Sequence, residues 1–156
     1  MNRTMMLVTA FALALGLSMP QAHSEAIAKE ARTPHTSIAA AIADPGRPAT
    51  DREQDATRKP AEILGFLGVV PGMRVLDAFS ASGYYTELLA RIVGSEGEVT
   101  AYNNPPYAKF AEKGIAKRYA DGRLGNVRQI TTEVGDLQLA PSSIDAALFV
   151  MSYHDA

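Results

Sequence analysis

From residue 60 onward, short apolar segments alternate with longer segments whose apolar residues recur every three or four positions. The longer segments predict helices, as in the series Tyr84, Leu88 and Ile92, and the short segments, rich in β-branched and aromatic residues, predict strands. The expected elements are, in chain order, a helix from Pro60, a strand at Arg74–Asp77, a helix at Gly83–Val93, a strand at Gly97–Tyr102, a helix from Pro105 to about Ala120, and strands at Val127–Thr132 and Ile144–Met151.

This order of elements determines the fold class. Alternating strands and helices are the signature of parallel βαβ units, and the crossovers between parallel strands are right-handed. We therefore predict an α/β fold in which a Rossmann-like parallel sheet of strand order 3-2-1-4 is flanked by helices. Because the chain ends directly after the fourth predicted strand, we expect this sheet to be incomplete at its C-terminal end.

The N-terminal segment has the layout of a secretory signal peptide. Arg3 provides a positive start, Met5–Leu17 is almost wholly apolar, and Ala22-His23-Ser24 offers small residues for cleavage before Glu25. About 13 apolar residues are too few to span a bilayer, which needs roughly 20. We predict a cleaved signal peptide at residues 1–24 and a periplasmic or secreted protein without a stable membrane span. The alternatives are an uncleaved anchor and a buried helix.

The remaining chain divides into a polar N-terminal arm, residues 25–59, and a domain at residues 60–156. Within the arm, Ser37–Ala43 is compatible with a short helix and the charged segment Asp51–Arg58 with a solvated helix. Two prolines and a glycine in Asp44–Pro48 predict a turn between them. We expect the arm to pack on the domain or to be partly disordered.

Composition excludes several classes of function. The net charge is −2, from 15 basic and 17 acidic residues, so we expect no nucleic-acid partner. There are no cysteines, which excludes disulfides and thiolate metal sites. The three histidines are widely spaced, so we predict no metal site.

One stretch, Val75–Tyr85, carries most of the functional information. A buried strand ends at the acidic Asp77, and a turn of small residues then leads into a helix. Open α/β sheets bind ligands at this carboxyl edge, and the N–H groups at a helix N-terminus favour an anion. The stretch therefore predicts a site for a nucleotide-like ligand that carries a carboxylate.

The same stretch resembles the first motif of class I S-adenosylmethionine-dependent methyltransferases, an acidic residue followed by three glycines at alternate positions. Asp77 and Gly83 occupy the first and last places, whereas Phe79 and Ala81 replace the first two glycines. The string Gly83–Arg91 is similar to a secreted branch of that group. The resemblance covers roughly residues 61–155 and implies S-adenosylmethionine as the cofactor.

Later motifs follow in the order that the resemblance requires. Gly97–Asn103 resembles the second strand of the group, whose last residue, here Asn103, holds the ribose hydroxyls. Gly135-Asp136-Leu137 resembles the acidic loop that binds the adenine amino group. The resemblance thus implies that the cofactor is bound by Asp77, Phe79, Ala81, Gly83, Tyr84, Asn103 and Asp136.

The implied reaction is methyl transfer to an unidentified small-molecule acceptor. The transfer is an in-line displacement for which the protein mainly supplies proximity and alignment, and a base is needed only if the acceptor must lose a proton. In the resembled group the segment after the fourth strand faces the transferred methyl. This segment is Ser152–Asp155 here, and we predict catalytic roles for Tyr153 and His154.

Each of these residues also has a purely structural interpretation. In that interpretation Asp77 is a partner of a helix N-terminus, Asn103 caps the second helix, Asp136 is a turn residue, Tyr84 and Tyr85 belong to the core, Asp145 is a strand-edge residue and His154 is a surface histidine.

Two other functions remain open. A non-catalytic periplasmic protein that binds a ligand or a partner is one, because the chain stops at Ala156 while the resembled enzymes continue for about three strands. Under the methyltransferase interpretation too, we expect no turnover by this chain alone, and self-association through the apolar edge of the fourth strand. A nicotinamide-dependent oxidoreductase is the other, but its fingerprint places Gly-x-Gly-x-x-Gly directly after the first strand, where this chain has only Gly83.

Overall fold

The structure, a computed structural model, describes residues 34–150 and residue 152. Three helices precede the first strand: α1 (Pro34–Ala43), α2 (Ala49–Arg58) and α3 (Pro60–Leu67). The chain then forms β1 (Arg74–Ala78), α4 (Tyr84–Val93), β2 (Glu98–Asn103), α5 (Pro105–Arg118), β3 (Val127–Thr131) and β4 (Ala146–Phe149). Single 3-10 turns follow α5 at Ala120–Gly122 and β3 at Val134–Asp136. The predicted signal peptide lies outside the described residues.

The four strands form one parallel sheet of order β3-β2-β1-β4, which confirms the predicted topology. In the central strand, Val75 is paired with Val99 of β2 on one side and with Ala146 of β4 on the other. Val99 is in turn paired with Val127 of β3. Because all four strands run the same way, their carboxyl ends lie at one edge of the sheet, and the β1–α4 turn lies there too.

The fourth strand is shorter than predicted and begins two residues later, at Ala146 rather than Ile144. The carboxylate of Asp145 accepts hydrogen bonds from the backbone N and the guanidinium of Arg74, at 2.8 and 2.7 Å. Asp145 is therefore a structural residue that anchors the start of β4 beside the start of β1. In β4 itself Leu148 is buried, whereas Phe149 remains 38% exposed, so this apolar strand is covered mainly on one face.

The core lies on both sides of α4. This helix is buried along almost its whole length because the sheet covers one side and the N-terminal helices cover the other. The arm predicted at residues 25–59 is therefore packed on the domain through its described part. Its helix α1 contributes Ile38 and Ala41 to the same core as Leu64, Val75, Leu88, Leu89 and Val99.

Buried ion pairs join the arm to the domain. Glu87 of α4 is fully buried, and its carboxylate accepts hydrogen bonds from Arg91, Arg118 and Arg123. Arg118 also pairs with Asp51 of α2 at 2.6 Å. We call these five residues the Glu87 network. It holds α2 beside the N-terminal half of α4, and thereby beside the β1–α4 turn.

Within residues 34–150 and 152, every helix is too short or too polar to cross a bilayer.

Candidate functional site

The turn between β1 and α4 has an unusual backbone. Phe79, Ala81 and Gly83 all adopt the left-handed conformation, with φ of 54°, 48° and 82°. Side chains disfavour this conformation, at a cost of about 1–2 kcal/mol per residue, and glycine accepts it readily. The three positions that hold glycine in the methyltransferase motif thus keep a glycine-type backbone here, although two of them carry side chains.

Asn103 at the end of β2 stabilises this strained turn. Its Oδ1 accepts a hydrogen bond from the backbone N of Ala81 at 2.8 Å. Its Nδ2 donates to Ser80 Oγ and to the backbone O of Ala81, at 3.1 and 3.2 Å. Both amide donors are therefore used within the protein, which leaves only a second lone pair on Oδ1 for any ligand.

The structural role proposed for Asn103 as a helix cap belongs instead to its neighbour. Asn104 is the N-cap of α5, and its Oδ1 accepts a hydrogen bond from the backbone N of Tyr107 at 2.9 Å. The structural interpretation of Asn103, in which it caps this helix, is therefore wrong by one residue. Asn103 faces the turn because it is the last residue of β2, in register one place beyond the pair formed by Ala78 and Tyr102.

Asp77 lies beneath the turn and is buried. Its carboxylate accepts a hydrogen bond from Thr86 Oγ1 at 2.5 Å, in the first turn of α4. Burial raises the pKa of Asp77 to about 7, although the hydrogen bonds from Thr86 lower it. Asp77 therefore supports the N-terminal turn of α4 from below, as its structural interpretation predicted, and does so next to the candidate site.

Phe79 occupies the space that a glycine would leave open. Its ring makes edge-to-face contacts with Tyr102, Tyr107 and Phe149, at centroid distances of 5.4, 5.2 and 5.5 Å. This aromatic cluster joins the carboxyl ends of β1, β2 and β4 to the first turn of α5. A ligand above the turn would thus contact aromatic rings as well as backbone.

A cavity of about 210 Å³ lies beside the turn, at the carboxyl edge of β1 and β4. Its walls include Asp77, Phe79, Ala81, Tyr84 and Arg58. Pockets for drug-sized ligands start at roughly 300 Å³. The cavity therefore suits a group the size of an amino acid, and the remainder of a nucleotide-like ligand would lie outside it.

Tyr84 and Tyr85 are core residues and line this cavity at the same time. The hydroxyl of Tyr84 donates to Asp55 Oδ1 at 2.5 Å, and that of Tyr85 donates to the backbone O of Arg58 at 2.6 Å. Burial, together with the hydrogen bond to Asp55, raises the pKa of Tyr84. Both tyrosines therefore hold α2 against the site as neutral phenols.

The other predicted site residues lie further along the chain. Asp136 is exposed and ends the 3-10 turn after β3, where its backbone N donates to Glu133 O at 3.0 Å. This is the turn geometry of its structural interpretation, with the carboxylate open to solvent. Tyr153 and His154 lie outside the described residues. Their neighbour Ser152 is buried and lines the 210 Å³ cavity, which places the start of the predicted catalytic segment at the site.

Larger cavities exist, and two of them touch the turn at a single residue each, Ser82 or Ser80. One of about 610 Å³ lies at the opposite edge of the sheet, near Gly97 and Asn126. Another of about 560 Å³ lies between α2 and α5, and a third of about 320 Å³ lies beneath α5. Size alone would favour the first. We favour the smaller cavity, because Phe79, Ser80 and Ala81 of the turn all line it, at the carboxyl edge where open parallel sheets bind their ligands.

Two residues at the site, Arg58 and Thr86, are not among those predicted from the sequence. Arg58 lies in a charged segment that the sequence indicates only as a solvated helix, and Thr86 looks like an ordinary helix residue. Both become part of the site through packing between distant segments. In residues 34–150 and 152, the acidic and histidine side chains form no group that could hold a metal ion.

Comparisons with known proteins give the following matches. The family model for protein-L-isoaspartate(D-aspartate) O-methyltransferases matches residues 33–139. The chain is similar to a solved protein-L-isoaspartate O-methyltransferase, with 23% identity and a TM-score of 0.37, over 47% of this chain and 22% of that one. It is also similar to an S-adenosylmethionine-dependent methyltransferase from Aquifex aeolicus, with 26% identity and a TM-score of 0.47, over 64% of this chain and 54% of that one.

A third match is an arsenic(III) S-adenosylmethionine methyltransferase from Chlamydomonas reinhardtii, with 28% identity and a TM-score of 0.37. This match covers 62% of this chain and 32% of that one. The chain thus spans between about a fifth and about half of the length of these solved structures.

Proposed function

The chain belongs to the protein-L-isoaspartate(D-aspartate) O-methyltransferase family, a family of S-adenosylmethionine-dependent enzymes, and we propose that its β1–α4 turn binds this cofactor for methyl transfer to a small-molecule acceptor. The observation that carries the proposal is the left-handed backbone at Phe79, Ala81 and Gly83. Two side chains are held in a conformation that glycine prefers, directly after a strand whose penultimate residue is the buried Asp77. Such strain is retained at functional turns more often than elsewhere.

The residues present fit one half of the cofactor better than the other. The small side chains of Ser80 and Ala81 let a ligand approach the backbone, and the adjoining 210 Å³ cavity has room for the methionine part. For the ribose, the usual carboxylate is replaced by Asn103, whose amide donors are already used. We therefore expect weak binding, dominated by the methionine part and by contacts with Asp136.

The chemical task of the chain is to position the cofactor and the acceptor and to shield them from solvent. When bound, S-adenosylmethionine supplies a methyl group on a sulfonium, which is already a good leaving group. Aromatic faces attract cations, so the rings of Phe79 and Tyr107 at the cavity wall favour a positively charged sulfur there. The Asn103 hydrogen bonds keep the turn fixed, so that alignment is prepared before the reaction.

The need for a base depends on the acceptor. The family name refers to O-methylation of an isoaspartyl group, and a carboxylate oxygen has no proton to lose at neutral pH. A thiol, amine or hydroxyl acceptor would require proton removal, and we propose Tyr153 or His154 for that role. A panel of carboxylate, thiol, amine and hydroxyl acceptors with labelled methyl donor distinguishes these classes. The activity itself remains a proposal, because the chain spans only about a fifth to about half of the length of the solved structures that it matches.

Calorimetric titration with S-adenosylmethionine and S-adenosylhomocysteine tests the binding proposal. We expect heat with both ligands and none with a nicotinamide dinucleotide; the reverse result would support an oxidoreductase. If Asp136 accepts a hydrogen bond from the adenine amino group, Asp136→Ala weakens binding by about 1–3 kcal/mol. Glu133→Ala is the matched control, because it removes an exposed carboxylate from the same loop. Equal effects of the two substitutions would leave Asp136 as a turn residue.

We further propose that the protein is exported, on the basis of the segment at residues 1–24. The expected mature N-terminus is Glu25. Intact-mass measurement on protein recovered from the periplasm and from the cytoplasm of an expressing bacterium tests this proposal. An uncleaved N-terminus confined to the cytoplasmic fraction would contradict it.

A further inference from the structure

Two arginines among residues 34–150 and 152, Arg52 and Arg58, form no ion pair, and of these two only Arg58 is half-buried. The side chains of Arg47, Arg74, Arg91, Arg118, Arg123 and Arg128 each form an ion pair with a carboxylate. Arg58 is half-buried, yet it forms no ion pair with any carboxylate among residues 34–150 and 152. Burying part of a cation without a counter-ion is unfavourable, so such a group marks a place where an anion is expected to bind.

The guanidinium of Arg58 is held in a defined position. Its central carbon lies 4.7 Å from the centre of the Tyr84 ring, and its Nε donates to Gln54 Oε1 at 2.7 Å. The nearby Asp55 does not neutralise it, because that carboxylate pairs with Arg47 through two hydrogen bonds of 2.7 and 2.8 Å. The terminal Nη groups therefore retain their donors for a ligand, in the fork that suits a carboxylate.

Arg58 also lines the cavity beside the β1–α4 turn, together with Ala81 and Tyr85. It reaches this position from α2 of the N-terminal arm, which the Glu87 network and the hydroxyl groups of Tyr84 and Tyr85 fix against α4. The cavity is of amino-acid size and holds a fixed cation at one wall. These two properties fit a ligand that carries a carboxylate on a short aliphatic chain.

We propose that Arg58 binds the α-carboxylate of the methionine part of the cofactor, so that the N-terminal arm completes the cofactor site. This inference rests on the proposed function, since it assigns one of that site's contacts. A carboxylate on the acceptor is the other possible source of the anion. The position of Arg58 beside Ala81 of the turn, rather than further out along β4, favours the cofactor.

The test compares two ligands that share a nucleoside and a thioether. S-adenosylhomocysteine carries the α-carboxylate, and 5′-methylthioadenosine lacks the amino-acid group. We expect Arg58→Gln to weaken binding of S-adenosylhomocysteine about 10- to 100-fold, as loss of a charge-assisted bond would, and to leave the methylthioadenosine affinity unchanged. Arg58→Lys keeps the charge without the fork and should restore part of the affinity. Arg52→Gln, an exposed cation of the same helix, is the matched control.

Thermal unfolding of each variant verifies that it is folded at the titration temperature. If the unchanged chain binds neither ligand, the proposed function fails and this inference fails with it. If the unchanged chain binds S-adenosylhomocysteine and Arg58→Gln binds it equally well, only the assignment of Arg58 is overturned. An equal loss of affinity for both ligands would also overturn it, because the substitution would then act on the nucleoside or on the fold.

Discussion

Replacing Glu87 by glutamine tests whether the arm is held on the domain by buried charge. Glutamine has nearly the size and shape of glutamate, so packing in α4 is preserved while the charge is removed. Arg91, Arg118 and Arg123 would then be left around a neutral amide. We expect this substitution to lower the free energy of unfolding by several kcal/mol at pH 7.

The burial of Glu87 and the shift of its pKa both set the magnitude of this loss. Removing one partner of a buried ion pair typically costs about 3–5 kcal/mol. Burial opposes ionisation of Glu87, but the hydrogen bonds from Arg123, Arg91 and Arg118 outweigh it and lower its pKa to about 2, from an ordinary 4.5. A difference of about 2.5 units corresponds to roughly 3 kcal/mol. The side chain is only 1% exposed, so solvent screening removes little of this.

The same shift fixes the direction of the pH dependence. Because the folded-state pKa lies below the unfolded one, the stabilisation is complete above about pH 4.5 and is lost as the pH falls towards 2. The free energies of unfolding in urea of the wild type and of Glu87→Gln should therefore differ by about 3 kcal/mol at pH 7 and converge near pH 2. Other carboxylates titrate in this range too, but they do so in both proteins and cancel in the difference.

Glu98→Gln is the control. Glu98 also pairs with an arginine, Arg128, at 3.3 Å, but both side chains are about half exposed. Such surface pairs contribute about 0–1 kcal/mol. If Glu87→Gln costs no more than Glu98→Gln, or if its cost does not change with pH, the Glu87 network does not hold the arm in the way described.

Two further stability measurements concern the turn itself. Because burial raises the pKa of Asp77 to about 7 from an ordinary 3.8, the stabilisation by its neutral form is complete below pH 3.8 and is lost as the pH rises through 7. Asp77→Asn should remove this loss, so that its free energy of urea unfolding gains up to about 4 kcal/mol on that of the wild type between pH 4 and pH 8. Parallel plots of the two free energies against pH would argue for an ionised Asp77 throughout. Ala81→Gly should raise the free energy of unfolding by about 1 kcal/mol, because it relieves a positive φ. The control Ala78→Gly, in β1, should lower the free energy of unfolding. If both substitutions lower it, Ala81 is not strained.

The elements and their order could be predicted from the sequence because each signal is local. An apolar run of strand length or an apolar stripe of helical period needs only its own residues. The start of β4 could not be predicted in this way. It depends on the carboxylate of Asp145, which is held by Arg74, 71 positions earlier in the chain.

The candidate site was predictable where a motif carries it and not where packing does. Asp77, Phe79, Ala81 and Gly83 form the expected turn, because the motif specifies a backbone path. The roles of Asn103 and Asn104 could not be separated in the sequence, since two adjacent asparagines have the same chemistry and only the register of β2 decides which one faces the turn. The position of Arg58 depends on the docking of α2 against α4, which no local pattern encodes.

The tyrosines around the cavity have a practical optical consequence. The chain contains six tyrosines and no tryptophan, so its intrinsic ultraviolet emission comes from phenol rings alone. Tyr84, Tyr85 and Tyr107 line the 210 Å³ cavity, and the hydroxyl of Tyr84 is bonded to a carboxylate. A group that enters the cavity changes the surroundings of these three fluorophores, with no indole signal above them. Titrations at this site can therefore be followed on the unlabelled protein by its own fluorescence.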